Sequence, residues 1–188
     1  MSVITYRNLL DVSPELQERV RGWRNSEHVR NNMLASEMIT EERHRRWLAS
    51  LAERPERQSV RVAFEGDEPF GIITLKDIDR NSSRCDWGMY IGETGFLGRG
   101  LARRMLFDLL AWAFEEEMMQ RLFTSVLSDN AKAVALYLEY GFHFEGRFEK
   151  HIRRDSGELV DVYWLALFVD AWREKKPHLQ KRLLERKT

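Results

Sequence analysis

Hydrophobic and polar positions alternate with two different periods along this chain, and the switches between them mark its elements. Residues 3–9 alternate as a short strand. Ser13-Pro14-Glu15 then reads as a helix start, with serine as the cap and proline in the first helical position. From there to about Leu34, the residues Leu16, Val20, Trp23 and Val29 recur among charges as a helix with an expected break at Gly22. Thr40-Glu41-Glu42 starts a second capped helix, given an apolar side by Trp47, Leu48 and Leu51 and stopped by Pro55. The period then drops to two: residues 59–64 alternate, Gly66-Asp67-Glu68 turns, and residues 70–75 return as the partner strand. A polar turn over 79–83 leads into a strand over 84–91. After a glycine-rich turn, Leu101, Met105, Leu109, Trp112 and Ala113 fall on one helical face. Residues 122–127 form a strand, Ser128-Asp129-Asn130 opens a short helix through Tyr140, and Gly141 is placed to cap its end. Residues 142–151 and 159–169 flank a turn at Asp155-Ser156-Gly157, which predicts a long antiparallel hairpin. The tail from Asp170 reads as a basic amphipathic helix with an expected break near Pro177. The order β-α-α-β-β-β-α-β-α-β-β, without repeats or linkers, predicts one mixed α/β (α+β) domain over residues 1–188.

Composition narrows the function classes. A chain of 188 residues, 43% hydrophobic and 32% charged, can build a sizeable core. Its 30 basic and 30 acidic residues cancel, so no global field favours nucleic acid or an anionic membrane. The single cysteine, Cys85, excludes an intrachain disulfide and a multi-cysteine metal site. Met1 leads straight into a strand pattern with no signal-peptide profile, and no apolar run approaches a membrane span of roughly 20 residues. A cytoplasmic location is expected, with no nucleic-acid partner, no membrane partner and no metal.

Chemistry first shows in the glycine-rich turn. Gly98, Gly100 and Ala102 alternate with Arg99, Leu101 and Arg103 where the turn becomes helix. Such a place offers main-chain N–H groups at the positive end of a helix with no side chains in the way, and suits a phosphate or diphosphate. A helix start also collects glycine without any ligand. The second informative stretch, about thirty residues later, is Asn130-x-x-Ala133-x-x-Leu136-Tyr137-x-x-x-Gly141-Phe142.

A strand, then Gly-x-Gly-x-Ala opening a helix, then this second motif resembles the GNAT superfamily of acetyl-CoA-dependent N-acetyltransferases. The likeness covers roughly residues 60–168. It implies a mixed central sheet with a splayed pair of parallel strands flanked by helices, and acetyl-CoA as the acetyl donor. The family's cofactor turn falls on Leu97, Gly98, Arg99, Gly100, Leu101 and Ala102; Leu97 departs from the usual Gln or Arg, which removes a side-chain contact but not the main-chain cradle. Met89, Tyr90 and Ile91 match the strand whose free main chain pairs with pantetheine and polarises the thioester. Asn130 matches the contact to the pantetheine arm, and it also reads as an ordinary helix cap. Tyr137 matches the tyrosine facing the sulfur, where the reading that needs no chemistry is a core tyrosine. Asp86 stands where several members carry a base glutamate; being shorter, it would act through water, or it is simply paired with Arg84 or a neighbour. Glu27, His28 and Asp77 are weaker base candidates.

The reaction needs these parts. Amine attack on a thioester creates an oxyanion and expels a thiolate, and a preorganised N–H donor to such an oxyanion contributes about 3–4 kcal/mol in other enzymes. A phenol with reference pKa near 10 can donate to a thiolate whose acid lies near 8.5. A lysine-like amine needs about 4.6 kcal/mol to become neutral at pH 7, an α-amine only about 1.

The stretch Trp23-Arg24-Asn25 through Arg30 and Met33, with the Thr40-Glu41-Glu42-x-His44 helix ending in Trp47, resembles a subgroup holding ribosomal-protein, polyamine and amino-sugar acetyltransferases. Within it the likeness is greatest to nucleotide-sugar N-acetyltransferases of pseudaminic acid biosynthesis. That implies transfer to the 4-amino group of a UDP-linked 4-amino-4,6-dideoxy sugar. Such an acceptor calls for arginine or lysine beside an apolar wall. Trp23, Arg24, Arg30 and Met33 are the expected contacts from the first helical region, and Lys150, His151, Arg153 and Arg154 from the hairpin; the basic residues also read as solvated faces or as partners of the CoA 3′-phosphate. A polyamine would want carboxylates, and the one acidic run, Glu115-Glu116-Glu117, reads as a solvated helix end. Ribosomal or other N-terminal acetylation is the first alternative, and an acyl-CoA-binding regulatory domain without turnover the second. By analogy of fold, an edge strand near the C-terminal hairpin is the expected seam of a homodimer.

Overall fold

A computed structural model describes residues 3–185. Strands β1 (Ile4–Asn8), β2 (Ser59–Glu65), β3 (Glu68–Asp79) and β4 (Arg84–Ile91) lie side by side, each pair antiparallel. A second antiparallel group consists of β5 (Arg121–Leu127), β7 (Leu159–Phe168) and β6 (His143–Arg153), in that spatial order. One parallel contact joins the groups into a seven-stranded sheet, and its register is only Arg84 to Arg121, Cys85 to Leu122 and Asp86 to Phe123. Beyond Asp86 and Phe123 the strands part. Residues 87–91 stay paired with β3 and residues 124–127 with β7, so the middle of the sheet opens as a fork. This is the α+β architecture with a splayed parallel pair.

Side-chain alternation gives the sheet two covered faces. One face carries α1 (Pro14–Asn25), α2 (Glu27–Arg30) and α3 (Glu41–Glu53), and Val20, Trp23 and Leu51 pack there on Val60, Val62, Phe64 and Ile72. The other face carries α4 (Leu101–Ala111), α5 (Ala131–Tyr140) and α6 (Val169–Glu185) over Ile73, Leu75, Trp87 and Leu122. The expected apolar stripe of Leu101, Met105, Leu109, Trp112 and Ala113 is buried throughout. Ser13, Thr40 and Asn130 cap their helices by accepting from the N–H groups of Leu16, Arg43 and Ala133.

Two expected breaks fall elsewhere. Gly22 lies inside α1, exposed and with open space around it; the chain turns instead at Ser26, whose N–H and hydroxyl both bond the Trp23 carbonyl. Pro177 lies inside α6, which continues to Glu185 because Trp172, Leu179 and Leu183 bury one face on both sides of it. Burying three such side chains exceeds the roughly 3 kcal/mol that an internal proline costs. Among the described residues, no helix is long and apolar enough to cross a membrane and no group of three His, Cys, Asp or Glu is placed to hold a metal. Cys85 is a buried free thiol whose pKa burial pushes up to about 12.

Candidate active site

The fork leaves main chain without a strand partner, and its direction follows from the contacts around it. In an antiparallel pair, successive residues point their N–H and C=O alternately toward and away from the partner. A Cβ placed on Gly71 of β3 would lie 2.4 Å from the Tyr90 carbonyl oxygen, so Tyr90 faces β3. Its ring goes to the α1 face, where the phenol lies 3.5 Å from the Val20 carbonyl. Trp87 points the other way, since its carbonyl accepts from Thr124 Oγ1 of β5 at 3.3 Å. The register between residues 71–76 and 86–91 is unbroken, so Met89 and Ile91 also direct their N–H and C=O into the fork. Of the three expected strand contacts, two are presented to the opening and Tyr90 is turned away.

Just past β4 the chain makes a short turn at Thr94–Phe96 and enters α4 through Leu97 to Gly100. Gly98 and Gly100 have φ of +74° and +78°, the left-handed region that a side chain strains. Open space surrounds a Cβ placed on Gly98. No side chain at Gly98 or Gly100 stands over the amides that open α4, and such a helix N-terminus is a fit for a diphosphate. Leu97 is exposed, and Arg99 is drawn aside, paired with Glu65 at 2.6 Å over the Phe96 ring. The cradle is made of main chain.

Tyr137 comes from α5 on the same face. Its ring stands edge-on to Trp87, 4.9 Å between centroids, with Phe142 behind it at 5.8 Å. Burial, and then the Asp86 carboxylate, push its pKa above the usual phenol value, so it stays protonated and able to donate. Among the described residues its hydroxyl has no hydrogen-bond partner. Asn130, at the start of α5, caps the helix as expected. Asp86 marks the apex of the fork. It is buried, held by Lys76 Nζ at 3.0 Å and by the Trp87 N–H at 2.6 Å, while Arg84 turns to Asp79. Burial raises its pKa and Lys76 offsets part of that.

On the opposite face, α1 and α2 approach the end of β4. Trp23 lies against Gly92, where any Cβ would overlap the indole, and gives its N–H to Glu93 Oε1 at 2.6 Å. Glu93 also holds Arg19. Arg24 and Arg30 clamp the carbonyls of Ala35 and Ser36, and among the described residues each leaves one guanidinium nitrogen buried without a partner, Nη1 of Arg24 and Nε of Arg30. Burial, with Arg30 nearby, lowers the Arg24 pKa. Met33 belongs to the same turn, its N–H bonded to the Arg30 carbonyl. His28 Nε2 lies 3.2 Å from the Ile91 carbonyl.

The hairpin residues divide. Arg154 reaches this region, bonding the Asn31 carbonyl at 2.8 Å and Asp129 at 2.6 Å. Lys150 and His151 stand exposed on β6, two strands from β5 and about 10 Å away, and are not brought to the fork. Each member of the Glu115–Glu117 run is engaged, with Lys176 and Trp172, Arg61, and Arg80 and Trp112 respectively. Thr124 and Glu93 escape a reading of the sequence, because only contacts distant along the chain single them out.

Comparison with known proteins agrees with this geometry. A family profile described as an acetyltransferase (GNAT) domain matches residues 9–143. An L-amino acid N-acetyltransferase of Escherichia coli is 29% identical over 64% of this chain and 74% of its own. Acetyltransferase PseH of Campylobacter jejuni is 25% identical over 74% and 85%. The crystal structure of Vibrio cholerae spermidine N-acetyltransferase in complex with CoA and spermine superposes with a TM-score of 0.80 at 18% identity, covering 90% of this chain and 97% of that one. The chain belongs to the GNAT acetyltransferase domain family and is an acetyl-CoA-dependent N-acetyltransferase.

Proposed function

We propose that the chain moves acetyl from acetyl-CoA to the 4-amino group of a UDP-linked 4-amino-4,6-dideoxy sugar, by direct attack of the amine on the thioester. The donor's diphosphate lies on the amides of residues 98–102, and its pantetheine pairs with Met89 and Ile91 along the open edge of β4. The thioester then lies beside Met89, on the side toward the apex, where a main-chain N–H stabilises the oxyanion and Tyr137 protonates the departing thiolate. Asp86, tied to Lys76, keeps negative charge beside Tyr137 and so keeps the phenol protonated until sulfur demands its proton.

One observation carries the choice of acceptor: two neighbouring arginines on the acceptor face each bury an unpaired N–H. A buried donor without a partner is costly, and an anionic group on the acceptor would satisfy both. A diphosphate has that charge, whereas a polyamine is cationic and is repelled by the two guanidinium groups. The α-carboxylate of an amino acid has it too, which keeps the relative from Escherichia coli as the second reading. For assembly, among the described residues the outer strand β6 pairs only with β7 and exposes Phe144 and Phe148, which supports a second copy as its partner.

The test is CoA release with UDP-4-amino-4,6-dideoxy sugars, L-amino acids, spermidine and N-terminal peptides offered in parallel. Preference for the nucleotide sugar is expected. In Arg24→Gln and Arg30→Gln the acceptor KM should rise at least tenfold while acetyl-CoA affinity holds; preference for spermidine would overturn the reading.

A further inference from the structure

His28 stands apart from the other ionisable groups near the fork. The Ile91 carbonyl can only accept, so the contact at 3.2 Å places the proton of the neutral ring on Nε2 and leaves Nδ1 with a lone pair. Among the described residues Nδ1 has no partner. The ring sits on α2, on the face opposite Tyr137, and is anchored to the same strand edge that receives the pantetheine. The competing bases are either engaged or turned to solvent. Asp86 is held by Lys76 and the Trp87 N–H, Glu93 by Arg19 and Trp23, and Glu27 is exposed. His44, the other histidine on this face, lies in the core between helices, its Nε2 at 2.9 Å from the Gln17 carbonyl and its ring against Trp47.

We infer that His28 is the proton acceptor for the incoming amine, its reactive nitrogen selected by the bond from Nε2–H to the Ile91 carbonyl. The inference rests on the acetyl-transfer reading above and adds the group that reading lacks. Met89 is two residues from Ile91, about 7 Å along the strand, so the path from an amine poised over a thioester at Met89 to Nδ1 runs through water. As the C–N bond forms and the C–S bond breaks, the amine's proton passes through water to Nδ1 and on to solvent. The sulfur takes the proton of Tyr137, and the phenolate regains one from solvent. Acid and base then work from opposite faces of the sheet, which matches a leaving group and a nucleophile on opposite sides of the acyl carbon.

The charged groups on elements around His28 are Glu27 and Arg30, one and two residues away on its own helix, Glu93 after β4, which interacts with it, Arg19 of α1, which pairs with Glu93, and Arg24 of α1, beside the Tyr90 phenol. Glu93 already carries two donors, so the base is steered by the carbonyl rather than by a carboxylate.

His28→Gln keeps a donor for the carbonyl and removes the base. With the most active amine of the acceptor panel, kcat/KM should fall about 100-fold at pH 7. The acid limb of the pH profile should disappear, and the deficit should shrink at alkaline pH where the amine is already neutral. Acetyl-CoA affinity by calorimetry should hold. Independently of any acceptor, 15N NMR of histidine-labelled protein should show the neutral His28 protonated on Nε2. A full rate with the acid limb unchanged would overturn the base role, as would an Nδ1–H tautomer. Loss of acetyl-CoA binding in His28→Gln would also overturn it, in favour of a structural part. If the wild-type chain released no CoA with any amine, the acetyl-transfer reading itself would fall, a result separate from these.

Discussion

Tyr137 packs as part of the core and still presents a free hydroxyl, so its structural and chemical duties can be separated by removing one atom. Tyr137→Phe keeps the ring against Trp87 and Phe142 and deletes the proton donor. Turnover should fall about 100-fold with acetyl-CoA affinity unchanged, as read by kinetics beside calorimetry. Asp86 gives a second prediction. Its pKa is raised in the folded chain, so the folded state binds that proton to a higher pH than the unfolded chain does. This carboxyl therefore subtracts stability as pH rises from about 3.9 through its raised value, with the loss complete above it. Lys76→Met should deepen that loss by about 1–2 kcal/mol at pH 7, moderated because Lys76 is 42% exposed, and should show little effect once acid has protonated Asp86. Urea unfolding of both proteins at two pH values checks it. Asp86 could be picked from the sequence as a strand carboxylate beside the motif. Its partner could not, because the pairing of residues 76 and 86 depends on the register of β3 against β4.

Among the elements, those with strong local signals were legible. Capped helix starts at Ser13, Thr40 and Asn130, the left-handed Gly141 and the Asp155–Gly157 turn of the hairpin all follow from side-chain chemistry within four residues. Gly22 and Pro177 misled because each is a local penalty that burial elsewhere on the helix outweighs. Pro177→Ala, which restores an N–H to the helix ladder, should stabilise the protein by about 1–3 kcal/mol in thermal unfolding. The entry to α4 behaves in the opposite sense. Gly100 caps that helix at φ +78° with no side-chain hydrogen bond, so a β-branched residue is strained there by about 1–2 kcal/mol and also fills the cradle. Gly100→Val should lower the melting temperature by a few degrees and weaken acetyl-CoA at least tenfold. A melting shift with normal affinity would take the diphosphate off those amides.

At the scale of the whole molecule, the sheet is two antiparallel halves held by three registered residue pairs, and nothing in the sequence of either half shows that the other will pull away from it. The alternating patterns of residues 84–91 and 121–127 predict strands; the fork appears only when β5 prefers β7 along its full length while β4 keeps β3. A donor laid along that fork replaces missing strand-to-strand bonds, so binding should act on the sheet as an extra strand would. Ligand at one hundred times its dissociation constant stabilises the folded state by about 2.7 kcal/mol, which for a chain of this size is roughly 5–11 °C in melting temperature. The rise alone would accompany binding anywhere. Where hydrogen exchange slows is what locates it: the amides of Met89 and Ile91 and those of residues 98–102 should gain protection from acetyl-CoA, while Tyr90, already facing β3, should change little. Protection spread evenly over the chain, or equal at residues 89, 90 and 91, would mean that the open edge of β4 is not where the donor lies.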